Sequence, residues 1–599
     1  MRPRVIAFSV LLLLGACSEQ SPPASQASPA PNEEQAKIDA FFTAVTDRWV
    51  ESNPDQAIST GYFSGTKQNA LERQLTPRTR DYELQRNAMA REVLTGLAAQ
   101  DFSQATPTQR FAGELLKWQL DTLLTAEPFL DYIGLPLNQF DGANVGLPNA
   151  LTVVHPVQDA QDADTYVARL KLVDDRLREA IADSAGRAQR GVVMPAFILR
   201  TTIAQMQQFI APAPTDNPLV TTLAAKTEAL GDLTPEQRSV LLQSAATIVA
   251  DEIYPAWTEA IAELSRQLPM ANDDAGLWRF PNGAEIYRRQ IRAFTTTDLT
   301  PEQIHEIGLQ EVARLEAEMD GLFRQIGLVD GSILERIEQL ETRTAYSHDD
   351  AGREALTQDV QRYLADALQR SAALFDKMPQ SSVIAQPYPR FRWETAAAGY
   401  TTAPLDGSRP AVFQFPLRDN ELMRYEKRSL VYHETVPGHH FQLALIAENK
   451  ELPRFMQIRA FGGNSAITEG WALYAERLAA ESNWYDGDIE GRLGYLDSAL
   501  FRARRLVVDT GLHAMRWTRQ QAIDYGIPPS EVDRYVVNPG QACAYMLGQL
   551  KIVELREKAR AALGDRFSIR EFHNVVLGAG IAPLTMLEQV VDDYVASKG

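Results

Sequence analysis

"VYHETVPGHHFQLAL", residues 431–445, begins like the zinc-binding pattern H-E-x-x-H and then departs from it. Four residues after His433 stands Pro437, and the next histidines are His439 and His440. On a regular helix, ligands four apart share a face and reach one ion. His433 and His439, six apart, would point about 120° from one another. His433 and His440 share a face but differ by roughly 10 Å along the axis, too far for two bonds of about 2 Å to one zinc. A regular helix therefore cannot build a metal site here. The intervening residues, however, are helix breakers. Pro437 cannot donate the i→i−4 bond, and Gly438 tolerates the torsions of a break or bulge. The expectation is an interruption between Glu434 and His439, with the two extra residues bulged out and His439 brought back beside His433.

Outward from this stretch, the chain reads as helix. "TPEQIHEIGLQEVARLEAEM" (300–319) has Thr300 as N-cap, Pro301 at the first helical position and Gln303 closing a capping box. Its apolar residues Ile304, Ile307, Val312, Leu315 and Met319 are helically spaced. "DLTPEQ" occurs at 232–237 and again at 298–303, and is read as two helix starts sharing one capping chemistry rather than as a repeat. Further helices are expected at 162–183, 236–265, 352–377, 489–525 and 541–563. "RPAVFQFPL" (409–417), short, aromatic and β-branched, is expected to be a strand.

With 599 residues, 45% apolar and 23% charged, the chain is long enough for several cores or one large two-lobed domain. The net charge of −19 is spread without blocks of like charge, which argues against nucleic acid as a partner.

The N-terminus has Arg2 and Arg4 before an apolar run from Val5 to Ala16, too short to span a bilayer and read as a secretory leader, 1–16. The run ends in Leu14-Gly15-Ala16-Cys17, which resembles a bacterial lipobox, with Cys17 the lipidated residue. Ser18 then implies the outer membrane, and the lipid is the only expected membrane contact. Residues 17–35, rich in Ser, Pro, Ala and Gln, read as a disordered tether, and 36–599 as one helical domain. Only Cys543 is left in that domain, so it has no internal disulfide and rests on its core.

"YHETVPGHHFQ" resembles the signature of the bacterial family called "domain of unknown function 885", grouped with the gluzincin-type zinc metallopeptidases. "LTPEQIHEIGLQEVARLEAEM", "DGSRPAVFQF", "ITEGWALYAERL", "RLVVDTGLHAMRW" and "NPGQACAYMLG" resemble further family blocks, in order, over 300–550. More distantly, the motif is similar to the H-E-x-G-H of helical carboxypeptidases and the angiotensin-converting enzyme group. It is two residues longer here, which leaves both His439 and His440 open as the second histidine ligand.

The resemblance implies a mainly α, large two-lobed metallopeptidase-like fold with a small β element beside the active-site helix. It also implies one zinc per chain and a peptide substrate. A catalytic zinc takes three protein ligands and leaves one position open. His433 and His439 would be two, and Glu469, at the entry of the helix "AITEGWALYAERL", the third. Glu476, seven residues on along the same stripe, would orient a ligand histidine. Glu434 would be the general base toward the attacking water. His440 is either an alternative ligand or a substrate-side hydrogen bonder.

Three candidates would donate to the oxyanion. One is His513, held by Asp509 four residues earlier on the same helix. The others are Tyr535 and Tyr545. The strand at 411–416 would be the edge along which a peptide pairs, by analogy with other gluzincins. The expected activity is hydrolysis of peptides in the cell envelope. The competing readings are a non-catalytic lipoprotein with a helical binding shell, and a zinc hydrolase of another amide or ester. Glu434 beside a ligand histidine favours the enzyme, because a binding scaffold has no use for it.

Overall fold

The computed structural model describes residues 32–598, apart from 389, 391–392, 394–396, 406, 408–409 and 420–421. Cys17 and the leader therefore lie outside the described residues. The first helix, Glu33–Glu51, starts inside the segment read as tether, because Asn32 and Gln35 form a capping box.

The same device opens the two helices that share a sequence word. Thr234 and Gln237 cap Pro235–Ile248, and Thr300 and Gln303 cap Pro301–Gln325. Helices make up 69% of the chain and strands 3%, so the fold is mainly α. Several long stretches of helical periodicity are divided by local chemistry. The 162–183 segment is two helices, Ala160–Leu170 and Val173–Gln189. A π turn, Val249–Ile253, separates Pro235–Ile248 from Tyr254–Gln267. The expected 489–525 helix stops at His513. Thr518 and Gln521 then form a new capping box that starts Arg519–Asp524. A capping pair competes with continuation of the preceding helix, and periodicity alone does not register it.

Two hydrophobic cores support the helices. One holds Trp471, Phe441, Leu473 and Phe413. The other holds Trp257, Tyr166, Leu199 and Leu223. The helix Ile489–His513 belongs to both, giving Leu496, Leu500 and Leu506 to the first and Val508 and Leu512 to the second.

Among the described residues the sheet has three strands: β1 (Val383–Pro387), β2 (Gly399–Thr401) and β3 (Ala411–Phe415). Their spatial order is β1-β3-β2. The segment expected to be an edge is instead the centre. β3 pairs parallel with β1, Ala385 opposite Phe413, and antiparallel with β2, Tyr400 opposite Phe413. Its alternate residues Ala411, Phe413 and Phe415 are buried, as a central strand on a core requires. The outer strands are β1 and β2; β1 lacks the aromatic pair that marks β3, and β2 is only three residues long.

Candidate metal centre

The helix Lys427–Glu434 ends on the first two motif residues. Thr435 leaves helical torsions (φ −118, ψ −99), as does Gly438 (φ −81, ψ −129), and a new helix runs His439–Glu448. The Val436–Pro437 peptide bond is cis. Gly438 is demanded by close approach: a Cβ there would lie 1.9 Å from the His433 carbonyl oxygen and 2.3 Å from that of Tyr432. The break is held from the next helix, Ser465–Glu481, where Trp471 Nε1 donates to the Pro437 carbonyl at 2.8 Å.

The interruption brings His439 round to His433, their rings 4.8 Å apart and nearly perpendicular. Glu469, one turn into Ser465–Glu481, completes a group in which one ligand atom from each residue lies within 4.8 Å of the others. Glu469 Oε2 is 3.5 Å from His433 Nε2 and 3.3 Å from His439 Nε2. Two ligands at tetrahedral angles around zinc, each bonded at about 2.0–2.1 Å, are about 3.3 Å apart. The donor set and its spacing therefore fit a zinc ion with three protein ligands.

Glu476 lies on the far side of His433, its Oε1 2.8 Å from Nδ1. It also accepts from the Ser429 hydroxyl, so both carboxylate oxygens are fixed. A donor bond from Nδ1 to a carboxylate leaves Nε2 free to ligate, the arrangement typical of metal-bound histidine.

The site is electrostatically prepared for a cation. Burial works against a charged His433, but Glu469 and Glu476 outweigh it and raise its pKa to about 10. Burial likewise opposes ionisation of Glu469, yet His439 and His433 hold its carboxyl well below the ordinary value. Glu434 is different: burial raises its pKa, and neighbouring Glu469 adds to the shift against the opposing pull of the two histidines.

Glu434, the triad and Tyr545 line one cavity of about 370 Å³. Two other cavities, of about 530 and 960 Å³, are larger, but among the described residues neither is lined by a metal-ligating group of this kind.

The remaining expected site residues separate. His440 is buried and turned toward the sheet, its Nδ1 3.1 Å from the Tyr400 hydroxyl, so His439 and not His440 joins the triad. The pairing of Asp509 with His513 is corrected. Asp509 accepts from the Tyr287 hydroxyl at 2.6 Å and from the Gly540 amide. His513 is buried, with Nδ1 accepting from the Leu277 amide and Nε2 against the Tyr535 carbonyl. Both side chains tie their helix to other segments, and neither lines the cavity. Tyr535 is corrected likewise: it is buried, and its hydroxyl accepts from Arg505 Nε at 2.9 Å. It positions Arg505, which does line the cavity. Of the three oxyanion candidates only Tyr545 faces the triad's cavity. The edge expected of the 411–416 strand falls to β2, whose Gly399 and Tyr400 line the same cavity.

The lining residues that were not anticipated include Tyr400, Arg459, Arg502 and Arg505. A signal existed for two of them. "FRARR" (501–505) sets three arginines within the helix Ile489–His513, most of whose residues are buried. Buried cations in such a run need partners or a ligand.

The family model described as "Bacterial protein of unknown function (DUF885)" matches residues 54–591. The chain belongs to this family. Among solved structures it is similar to one described as a "putative lipoprotein" from Colwellia psychrerythraea. That chain is 30% identical, with TM-score 0.88, over 94% of this chain and 100% of that one. A second, described as a "putative lipoprotein of unknown function" from Shewanella oneidensis, shares 17% identity, TM-score 0.66, and 93% and 99% coverage, a likeness of fold. No curated protein matches this DUF885 member.

Proposed function

We propose that this DUF885 protein is a zinc-dependent peptidase of the cell envelope. The observation that supports the reading most strongly is the convergence of His433, His439 and Glu469 with Glu434 on one cavity. A zinc ion held by those three ligands supplies Lewis acidity toward water and toward a scissile carbonyl.

The chain's own residues do the rest. Glu476 holds His433 in the tautomer that presents Nε2. Glu434, in a partly desolvated position, takes the proton of the attacking water and passes it to the leaving amine; its raised pKa makes it a better acceptor of that proton than an exposed carboxylate. The Tyr545 hydroxyl lines the cavity and donates toward the oxygen that gains charge as the carbonyl is attacked. The edge of β2, at Gly399 and Tyr400, offers backbone groups for an extended substrate.

The envelope assignment rests on the leader at 1–16 with Cys17, and on the "putative lipoprotein" description of the Colwellia relative. No described helix is long and apolar enough to cross a membrane. Digestion of a mixed peptide library by the zinc-loaded protein, with and without chelator, tests the reading. Chelator-sensitive cleavage at peptide bonds is expected. Cleavage only of non-peptide amides or esters, or of nothing, would overturn it.

A further inference from the structure

The cavity around the triad is lined by three arginines, Arg459, Arg502 and Arg505, against two carboxylates, Glu434 and Glu469. Glu469 already faces His433 and His439. With a divalent cation in place the lining is therefore strongly positive, in a chain whose net charge is −19. Such local reversal of sign focuses anions.

Two of the arginines, Arg505 and Arg502, have donors to spare. Arg505 is 4% exposed; its Nε donates to Tyr535 and its Nη2 to Glu531, at 2.9 and 2.7 Å, while its buried Nη1 meets no acceptor at hydrogen-bond geometry and the guanidinium faces Tyr545, which lines the same cavity. Arg502 spends Nη1 on the Ser498 carbonyl and hydroxyl, and its buried Nε has no partner. Arg459 adopts φ 56, a torsion that non-glycine residues reach at a cost. Burial lowers its pKa, and Tyr400 is the one group opposing that shift. Desolvated guanidinium groups with unmet donors are costly unless an anion completes them, and the planar fork of arginine suits a carboxylate.

We propose that Arg505, with Arg459 and Arg502, binds a carboxylate of the substrate close to the bond being cut. This deepens the peptidase reading and rests on it. The source is the free C-terminus of a short peptide or chain end, or an acidic side chain. A cavity of about 370 Å³, at the small end of the roughly 300–1,000 Å³ usual for ligand sites, favours the chain end. Tyr535 and Glu531 then act as positioning residues, holding Arg505 in place through two of its three nitrogens.

Binding tests this without turnover. The full chain carrying Glu434→Gln is loaded with zinc and titrated calorimetrically with three tripeptides: a free acid, its C-terminal amide, and an amide bearing an internal aspartate. The free acid should bind tighter than the plain amide by roughly 10-fold or more, the scale of a charge-assisted hydrogen bond. Adding Arg505→Gln or Arg459→Gln should shrink that ratio toward one while zinc stoichiometry stays unchanged. The Arg459 variant guards against loss of packing around Tyr535. Recovery of tight binding by the aspartate amide would identify an acidic side chain as the source. Equal binding of all three peptides, binding of none, or a carboxylate preference that survives both arginine variants would overturn the proposal. Peptide hydrolysis by the wild-type protein is read separately. Cleavage without acid preference sinks this inference alone; acid preference without cleavage sinks the peptidase reading alone.

Discussion

Glu476 Oε1 lies 2.8 Å from His433 Nδ1, and both side chains are buried. The contact fixes the ring so that Nε2 faces Glu469. Replacing Glu476 with Gln keeps the shape but weakens the acceptor. Loss of such an outer partner typically costs about 10–100-fold in metal affinity. Chelator competition on Glu476→Gln should show a loss in that range, with unfolding temperature changed little. Unchanged affinity would mean that the contact is structural only.

Gly438 is the position where the helix break has no slack. A Cβ would meet backbone oxygen at 1.9 Å, and backbone cannot swing aside as a side chain can. Gly438→Ala should therefore destabilise the protein and lose zinc. Trp471→Phe is the milder companion. It removes the bond to the Pro437 carbonyl, leaving a buried acceptor unmet at a cost of about 1–3 kcal/mol. Equilibrium denaturation and zinc titration of the pair should show the glycine variant worse in both. A Gly438→Ala protein that binds zinc normally would contradict the account.

The two tyrosines should part company. Tyr545 lines the cavity, whereas Tyr535 is buried behind it and holds Arg505. Tyr545→Phe should lower kcat by roughly 10²–10³-fold, the scale of one lost oxyanion donor, with zinc binding intact. Tyr535→Phe should act mainly on KM, by loosening Arg505. Steady-state kinetics of the two variants check the split.

Acid should destabilise the fold through buried neutral histidines. Burial, with Arg169 beside it, lowers His155 from 6.5 to about 3, and burial lowers His513 from 6.5 to about 3. Each stays neutral in the fold and gains a proton on unfolding below its ordinary value. The unfolded state then binds more protons, so stability is intact above about pH 6.5 and declines as pH falls toward 3. Asp509, raised by burial to about 7, works the other way between 3.8 and 7. The slope of Tm against pH from 7 to 5 should therefore be shallower in His155→Gln than in wild type, and steeper in Asp509→Asn.

How much of this is readable from residues alone depends on range. The break at Pro437-Gly438 is local chemistry between two ligand-type side chains, so its reading needs no tertiary information. Thr234 and Thr300 announce their helices in the same way. Glu469 is named by the family resemblance, and Glu476 follows from it by a seven-residue spacing on one helix, which geometry respects. What fails is anything decided by distant partners. Asp509 and His513 have ideal i,i+4 spacing, yet Tyr287, Gly540 and Leu277 claim them. The 411–416 strand is expected to be an edge by analogy with other gluzincins, and the partners that make it central, Val383–Pro387 and Gly399–Thr401, lie apart from it in sequence. Arg505 carries no sequence mark of its own that sets it apart from Arg502 and Arg504, and its burial against Tyr535 and Glu531 is what brings it to the cavity.

The most direct test of the central claim is a paired measurement on wild type and Glu434→Gln: zinc per chain by elemental analysis, and peptide hydrolysis on the same samples. Three protein ligands that exclude Glu434 predict about one zinc in both proteins. Hydrolysis should be present in wild type and lost by about 10²-fold or more in the variant. A wild-type chain that binds no zinc, or a Glu434→Gln protein that hydrolyses peptides at the wild-type rate, would contradict it.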